Sequence, residues 1–209
     1  MSEKAQVRAK GSQTREKLVT CGFYVFMKDG VADVSLDDIL KASGVKKGAF
    51  YHHFESKEQF LKICFEECYL QPVKEVLQEF LQKEPCSMED LRVFLTDFAS
   101  RVEAGIKERI GLDVELNDIY TNISYLSRKS NFMLGHFLEF HDQQRLYVER
   151  CLENMQSKGL VSKDLNLREI AGMICCCREG AFEMWSKNKE LDFGEMMSTY
   201  LRYFEKMMG

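Results

Sequence analysis

The stretch VSLDDILKASGVKKGAFYHHFESKEQFL, residues 34–61, holds the signals of two short helices around one tight turn. Ser35 is a favoured N-cap residue, and Asp38 three positions later completes a capping box. These two residues predict a short helix over about Leu36 to Ala42. Gly44 can adopt the positive φ that ends such a helix, so a turn is expected there.

A second short helix is predicted directly after the turn, over about Lys46 to His53. Its first turn carries two lysines, which the helix dipole disfavours at that end unless an anion lies nearby. Gly48 and Ala49 follow, and their small size allows a close approach to another molecule. Two short helices joined by a glycine turn are typical of a helix-turn-helix, whose second helix enters the major groove of DNA.

The adjacent histidines of this helix do not form a metal site. His52 and His53 point about 100° apart on a helix, so they cannot share one ion. His52 is predicted to reach a base edge or a phosphate, whereas a structural role and a phosphate contact are equally weighted for His53. A metal site in HFLEFH is also disfavoured, because His141 lies five residues after His136. No metal and no other cofactor is expected.

The rest of the chain repeats apolar spacings of three and four and has no convincing strand pattern. Further helices are predicted over about 12–28, from Ser56 onward, and over 73–83, 88–107, 109–127, 131–157, 166–188 and 193–208. The expected fold is all-α, with an N-terminal three-helix helix-turn-helix head, a C-terminal helical bundle and about nine or ten helices. The predicted domains are residues 1–57 for DNA binding and residues 58–209 for ligand binding and dimerisation.

Charge is distributed unevenly along a chain of globular composition. Hydrophobic residues make up 45% and charged residues 30%, which argues against disorder. Residues 1–57 hold ten of the 29 Lys/Arg and seven of the 33 Asp/Glu, so they carry +3 and the remainder carries −7. A basic N-terminal quarter suits a nucleic-acid partner. The polar N-terminus lacks a signal peptide, and no apolar run reaches the ~20 residues of a membrane span, so a cytoplasmic location is expected.

The eight cysteines are interpreted as reduced and mostly buried thiols. Cys64 and Cys68 lie four apart in a helical pattern, and a chain of this length can bury a core without disulfides. Residues 175–177 are three consecutive cysteines, which point in different directions on a helix. A redox switch at these three is retained only as a minor alternative.

The N-terminal sequence closely resembles the DNA-binding head of TetR-type transcriptional regulators over about residues 10–62. The positions that carry this resemblance are Phe26, Gly30, Ser35, Ile39, Ala42, Gly44, Val45, Gly48, Tyr51, Phe54, Lys57 and Leu61. Beyond Leu61 the resemblance rests on helix number and chain length alone.

The resemblance implies DNA contacts at single positions, which are Ser35, Lys46, Lys47, Gly48, Ala49, Tyr51, His52 and Lys57. Ser35 is expected to meet a phosphate through its hydroxyl and backbone N–H. Tyr51 and Lys57 are expected to anchor phosphates, and residues 46–49 to face the groove. Ala49 departs from the hydroxyl residue often found there, so an apolar contact with a thymine methyl is expected instead.

The resemblance further implies a homodimeric repressor that binds a palindromic operator and is released by a small molecule. Dimerisation is expected through about 166–208, with small residues at Ala171, Gly172, Gly180 and Ala181 that permit close helix packing. The candidate ligand-binding residues are Asn117, Tyr120, Tyr125, Met133, His136, Phe137, Phe140 and Gln144, with Asn122 and His141 as further polar candidates.

Two other classes of function are weighed against a ligand-released repressor. An enzyme is disfavoured, because the chain has no Gly-rich phosphate loop, no G-x-S-x-G and no H-E-x-x-H. A ligand-independent DNA-associated protein of the same fold stays open. Activation instead of repression also stays open, since the sign depends on where the operator lies.

Overall fold

The computed structural model describes residues 3–188 and 190–208, and the side chains of residues 11–188 and 190–208. The helices are α1 (Glu3–Asp29), α2 (Leu36–Ser43), α3 (Lys47–His53), α4 (Lys57–Phe65), α5 (Gln71–Leu81), α6 (Met88–Ile110), α7 (Leu116–Lys129), α8 (Asn131–Ser157), α9 (Leu167–Lys187) and α10 (Phe193–Met208), with a π-helical turn at Glu66–Leu70. These described residues contain no strand, and the predicted all-α fold is confirmed. None of their helices is both long and apolar enough to pass through a bilayer.

The chain divides into two compact units. Unit 1 comprises the described residues up to Val76 together with Arg101–Asn122. Unit 2 comprises Leu77–Ser100 and the described residues from Ile123 onward. Helices α5, α6 and α7 each contribute residues to both units. The predicted domain boundary at residue 57 stays a prediction.

The helices begin and end near the predicted residues, except that α1 and α7 begin at different positions. Helices α8 and α10 begin and end where they were predicted, whereas α1 begins at Glu3 instead of about Ser12. Helix α7 begins at Leu116 rather than at 109. Gly111 has a φ of 66° and ends α6, and residues 111–115 form the connection, so apolar spacing alone placed the start of α7 too early.

Pro72 lies inside a nearly continuous helical path from α4 to α5, although the sequence pattern indicated a break there. Proline lacks a backbone N–H and clashes with the preceding turn of an α-helix. The π-helical turn directly precedes it, and the N–H of Gln71 reaches back five residues to the carbonyl of Glu66. The wider π turn accommodates the proline without ending the helix.

Four phenylalanines form the centre of unit 1 and are called the Phe60 cluster: Phe26 of α1, Phe50 of α3, Phe54 after α3, and Phe60 of α4. Each is at most 1% exposed. The Phe60 ring centroid lies 4.7 Å from that of Phe54 and 5.1 Å from that of Phe50. Aromatic pairs in this range contribute about 0.5–1.5 kcal/mol each beyond their buried area. The cluster therefore fixes α3 against α1 and α4.

Gly22 allows α4 to approach the backbone of α1. A Cβ atom at position 22 would lie 2.4 Å from Cζ of Phe60 and 2.6 Å from its Cε1. Real side chains do not tolerate such distances, and the Phe60 ring is fully buried. Glycine in a helix interior costs stability relative to alanine, and here the close ring contact is what requires it.

Asn122 of α7 joins this helix to the end of α1 within unit 1. Its Nδ2 donates to the carbonyl of Met27 at 3.2 Å and to that of Asp118 at 2.9 Å. Its Oδ1 accepts from the backbone N–H of Val31 at 3.1 Å. The amide is thus used within the fold, which corrects its interpretation as a ligand-lining group.

The core of unit 2 is built around another ring cluster. The Phe94 ring centroid lies 5.1 Å from that of Phe80 and 4.1 Å from that of Tyr147. Helix α9 packs against both α8 and α10. Ala171 and Ala181 are buried within this unit, so they do not form a surface for a second copy as predicted.

All eight cysteines are free thiols, but most of them are not buried. Cys64, Cys68 and Cys151 are buried, Cys176 is exposed, and the other four are half-buried. The prediction of mostly buried thiols is therefore wrong. Consecutive cysteines on α9 fall on different faces of the helix, so they cannot all face the core.

Gly22→Ala should destabilise the protein. The added methyl group overlaps the Phe60 ring, and overpacking of a core typically costs about 1–3 kcal/mol, more than the roughly 1 kcal/mol that alanine gains over glycine in a helix. Urea unfolding at fixed protein concentration measures the change. Gly135→Ala is the matched control, because a Cβ there meets nothing within 4 Å and should be stabilising. A Gly22→Ala protein as stable as wild type would refute the close contact.

Asn122→Ala should lower the free energy of unfolding by about 1–3 kcal/mol, because it leaves the buried Val31 N–H without an acceptor. Asn117→Ala on the same helix is the control, since Oδ1 of Asn117 has no partner among the described residues. Chemical unfolding of both variants checks the prediction. Equal losses would show that Asn122 does not join α7 to α1.

Candidate nucleic-acid interface

Local backbone geometry sets the angle between α2 and α3. Ser35 caps α2, and Gly44 ends it in the left-handed conformation with a φ of 64°. Lys46 has an extended backbone, with φ −73° and ψ 146°, and is the N-cap of α3. The predicted capping box and glycine turn are both present, so the helix-turn-helix geometry is formed as the sequence indicated.

One side of α3 faces solvent while the other faces the Phe60 cluster. The residues on the solvent side are called the α3 basic surface: Lys46, Lys47, Gly48, Tyr51 and His52. All five are exposed, and Tyr51 retains 52% exposure despite its ring. A large exposed ring beside two cations is typical of a surface that contacts a polyanion.

Ala49 differs from its neighbours because it is half-buried. It stands one position before the fully buried Phe50, so its methyl group lies toward the boundary between the two sides of α3. The predicted contact between Ala49 and a thymine methyl stays a prediction.

Both donors of Ser35 are engaged by Asp38. The Ser35 backbone N–H donates to Oδ2 of Asp38 at 2.8 Å, and the hydroxyl donates to the same oxygen at 2.5 Å. These hydrogen bonds from Ser35 lower the pKa of the Asp38 carboxyl. A phosphate that bound Ser35 would therefore have to displace a carboxylate, a competition that sequence reasoning missed.

Lys57 is positioned beside the start of α2. Its ammonium group donates a short hydrogen bond to the carbonyl of Val34, which directly precedes Ser35. The side chain is half-buried, so its cation is held near the α2 terminus. This location agrees with a phosphate contact, and the occupied hydrogen bond leaves the other ammonium protons for a ligand.

His53 lies on the inner edge of α3, unlike the exposed His52. Partial burial lowers the pKa of His53, and the positive charges of His52 and Arg15 add to this effect. This shift disfavours the protonated form of His53, and the choice between a structural role and a phosphate contact stays a prediction. The Arg15 guanidinium forms two hydrogen bonds with the Glu67 carboxylate, at 2.5 and 3.1 Å.

The eight predicted ligand-binding residues are divided between the two units, and their role stays a prediction. Asn117 and Tyr120 belong to unit 1, and the other six belong to unit 2. Met133 is buried core, and Tyr125 is 42% exposed. The six in unit 2 are Tyr125, Met133, His136, Phe137, Phe140 and Gln144.

Sequence reasoning missed Arg178, a cation that is only 5% exposed on α9. Arg178 lies directly between Cys177 and Glu179, and no local pattern of the sequence encodes its burial. Among the side chains described, no group of three His, Cys, Asp or Glu could hold a metal ion.

The family model described as "Bacterial regulatory proteins, tetR family" matches residues 22–63. The HTH-type transcriptional repressor DhaR of Mycobacterium sp. (strain GP1) is 29% identical over 177 residues, which are 80% of this chain and 79% of DhaR. A probable acrEF/envCD operon repressor of Escherichia coli (strain K12) is 36% identical over 78 residues, which are 36% of this chain and 34% of that repressor.

Solved structures share the fold along nearly the whole chain. A TetR-family transcriptional regulator from Cytophaga hutchinsonii has a TM-score of 0.69 at 18% identity and covers 95% of this chain and 96% of its own. The reduced form of E. coli NemR has a TM-score of 0.62 at 18% identity, with 94% and 98% covered. At these identities the structures establish the fold alone.

The Lys46→Ala/Lys47→Ala variant should bind DNA with a weaker dependence on salt. Each phosphate contact releases counterions and adds about 0.9 to the slope of log K against log salt, so the slope should fall by roughly 2. Fluorescence anisotropy over a series of salt concentrations measures it. Lys163→Ala, an exposed cation of unit 2, is the control. An unchanged slope in the double variant would remove these lysines from the interface.

Proposed function

We propose that this chain, which is a TetR-type transcriptional regulator and not an enzyme, acts as a cytoplasmic homodimer on a palindromic operator in double-stranded DNA. A small molecule bound in the C-terminal part releases the operator, so the chain acts as a repressor. The observation that carries this proposal is the α3 basic surface, held in place by the buried Phe60 cluster. A rigid helix with small and basic residues at its start suits the major groove.

An exposed apolar face on α9 supports dimerisation. Met173 is 50% and Met184 55% exposed, and the exposed Cys176 and Gly180 lie between them at helical spacing. All four fall on the side of α9 opposite the buried Ala171. On α10, Tyr203 and Met207 are one turn apart and are 64% and 66% exposed. A second copy of the chain that packs on these faces would bury apolar area and present two heads to DNA.

Helix α7 offers a route from the effector to the head. Its residues from Ile123 onward belong to unit 2, and its first residues, up to Asn122, belong to unit 1. Asn122 bonds the end of α1 through Met27 and Val31. A shift along α7 would therefore act on α1, which packs against α3. In a dimer, a small change in the distance between the two DNA-binding heads is enough to prevent them from binding both half-sites, whose centres lie about 34 Å apart.

Selection of bound sequences from a random duplex pool tests the proposed function. A homodimeric regulator should recover a palindrome whose half-site centres lie about one helical turn apart, roughly 10 base pairs. Recovery of a single half-site without symmetry would overturn the dimeric operator. Recovery of a palindrome with no releasing molecule in a metabolite screen would favour a ligand-independent DNA-associated protein.

Met173→Glu/Met184→Glu should dissociate the proposed dimer, because two carboxylates would be buried at the apolar face. Sedimentation should change from twice the chain mass of 24.4 kDa to that of one chain. Leu160→Glu is the control, since Leu160 is equally exposed, at 56%, but precedes α9. A double variant that sediments like wild type would place the interface elsewhere.

A further inference from the structure

Three buried side-chain donor atoms of unit 2 have no acceptor among the described residues, namely Nε of Arg150 and one atom each of Gln144 and Arg178. Of these three residues, only Gln144 and Arg178 are buried as whole residues. Gln144 of α8 is 1% exposed and Arg178 of α9 is 5% exposed. Nε2 of Gln144 and Nε of Arg178 bond no group among the described residues. Buried donors are almost always paired, and an unpaired one destabilises the folded chain. A bound molecule could supply the missing acceptor for both Nε2 of Gln144 and Nε of Arg178.

The two side chains belong to one site, which is called the Gln144–Arg178 site. Nη1 of Arg178 lies 3.5 Å from Oε1 of Gln144, at the limit of a hydrogen bond. The same Nη1 donates to Oε1 of Glu179 at 2.7 Å. Nε2 of His141 lies 3.9 Å from the other carboxylate oxygen of Glu179. The site thus presents unused donors and no unused cation, because Glu179 balances the charge of Arg178.

Charge balance around the site disfavours an anionic ligand. Arg145, next to Gln144, is paired with Glu149 at 2.6 Å. Burial lowers the pKa of His141, so this histidine is neutral at pH 7. Burial raises the pKa of Cys175 to about 11, so its thiol is protonated. An anion would therefore enter without an unpaired counter-charge, and burial of such a charge is costly.

Aromatic rings adjoin the site. The Phe137 ring centroid lies 4.1 Å from that of His141, and the Phe140 ring centroid lies 5.7 Å from it. The Arg178 guanidinium lies 6.0 Å from the Phe182 ring centroid. These rings suit a ligand with an apolar body.

We propose that Gln144 and Arg178 together bind the carbonyl oxygen of a neutral, largely apolar organic effector, such as a ketone, aldehyde, ester or amide. The proposal rests on the proposed function, because it names the chemical class of the effector. A carbonyl oxygen has two lone pairs and can accept from both Nε2 of Gln144 and Nε of Arg178. It adds no charge to a site that is already balanced.

Asn122 shows what a structural amide looks like in the same chain. Its oxygen and its nitrogen both have backbone partners. Gln144 instead has a nitrogen without an acceptor, at a cost to stability that a binding role explains. Gln144→Leu should therefore raise the Tm, whereas Gln156→Leu on the same helix should lower it. Gln156 is the matched control because its Nε2 donates to the carbonyl of Ser162 at 2.8 Å.

Titration with three probes that share a phenyl ring tests the ligand class. The full-length protein, labelled with ¹⁵N at arginine and glutamine side chains, is titrated with acetophenone, benzoate and ethylbenzene. Acetophenone should shift the Arg178 Nε–H and Gln144 amide signals and leave the Gln156 signals unmoved. Benzoate and ethylbenzene should bind at least about tenfold more weakly, the loss expected for one buried hydrogen bond or its equivalent. Gln144→Leu and Arg178→Met should each reduce acetophenone affinity by a similar factor.

Three results would overturn the carbonyl site. In the first, acetophenone shifts other signals but neither the Arg178 Nε–H nor the Gln144 amide signal. In the second, ethylbenzene binds as tightly as acetophenone. In the third, the Gln144→Leu variant has a lower Tm than wild type and still binds acetophenone with full affinity. If benzoate bound most tightly of the three probes, the ligand class would be a carboxylate and not a neutral carbonyl compound. Operator binding, measured by anisotropy on the same preparations, separates the two proposals. A protein that binds its selected operator but shows any of these results retains its proposed function and loses this site.

Discussion

The contact between the Phe60 ring and the α1 backbone at Gly22 is the constraint on which the head depends. The ring fills the space that a side chain at position 22 would occupy, and it also contacts Phe50 and Phe54 around α3. A seven-residue helix has little stability of its own, so α3 exists because its inner side is packed. The basic outer side can then carry residues that oppose the helix dipole, including Lys47 in the first turn.

Electrostatics at the start of α2 adds a second constraint. Asp38 holds both donors of Ser35, while the ammonium group of Lys57 is held at the carbonyl of Val34. A cation and a carboxylate thus lie close to the same helix terminus before any DNA is bound. A phosphate that bound there would be attracted by Lys57 and would have to displace Asp38 from Ser35.

The fold of the head could be predicted because its signals are local in the sequence. Features that depend on contacts between distant positions could not be predicted. The capping box at Ser35 and the turn at Gly44 are encoded within a few residues, and both were predicted correctly. The pairing of Asn122 with Val31 joins positions 91 residues apart, and no local pattern encodes it. Arg178 was missed for the same reason, since its burial depends on α8. The predicted ligand residues were polar side chains within apolar helices and their apolar neighbours, and such neighbours, Met133 among them, are also ordinary core residues.

Chemical-shift mapping of the full-length protein with its selected operator duplex tests the central claim most directly. If the α3 basic surface enters the major groove, the largest backbone amide changes should fall on residues 46–52, with a second group near Ser35 and Lys57. The chemical shifts of backbone amides on the buried side of α9 should change little in the same titration. Large changes confined to unit 2, with residues 46–52 unmoved, would contradict the account.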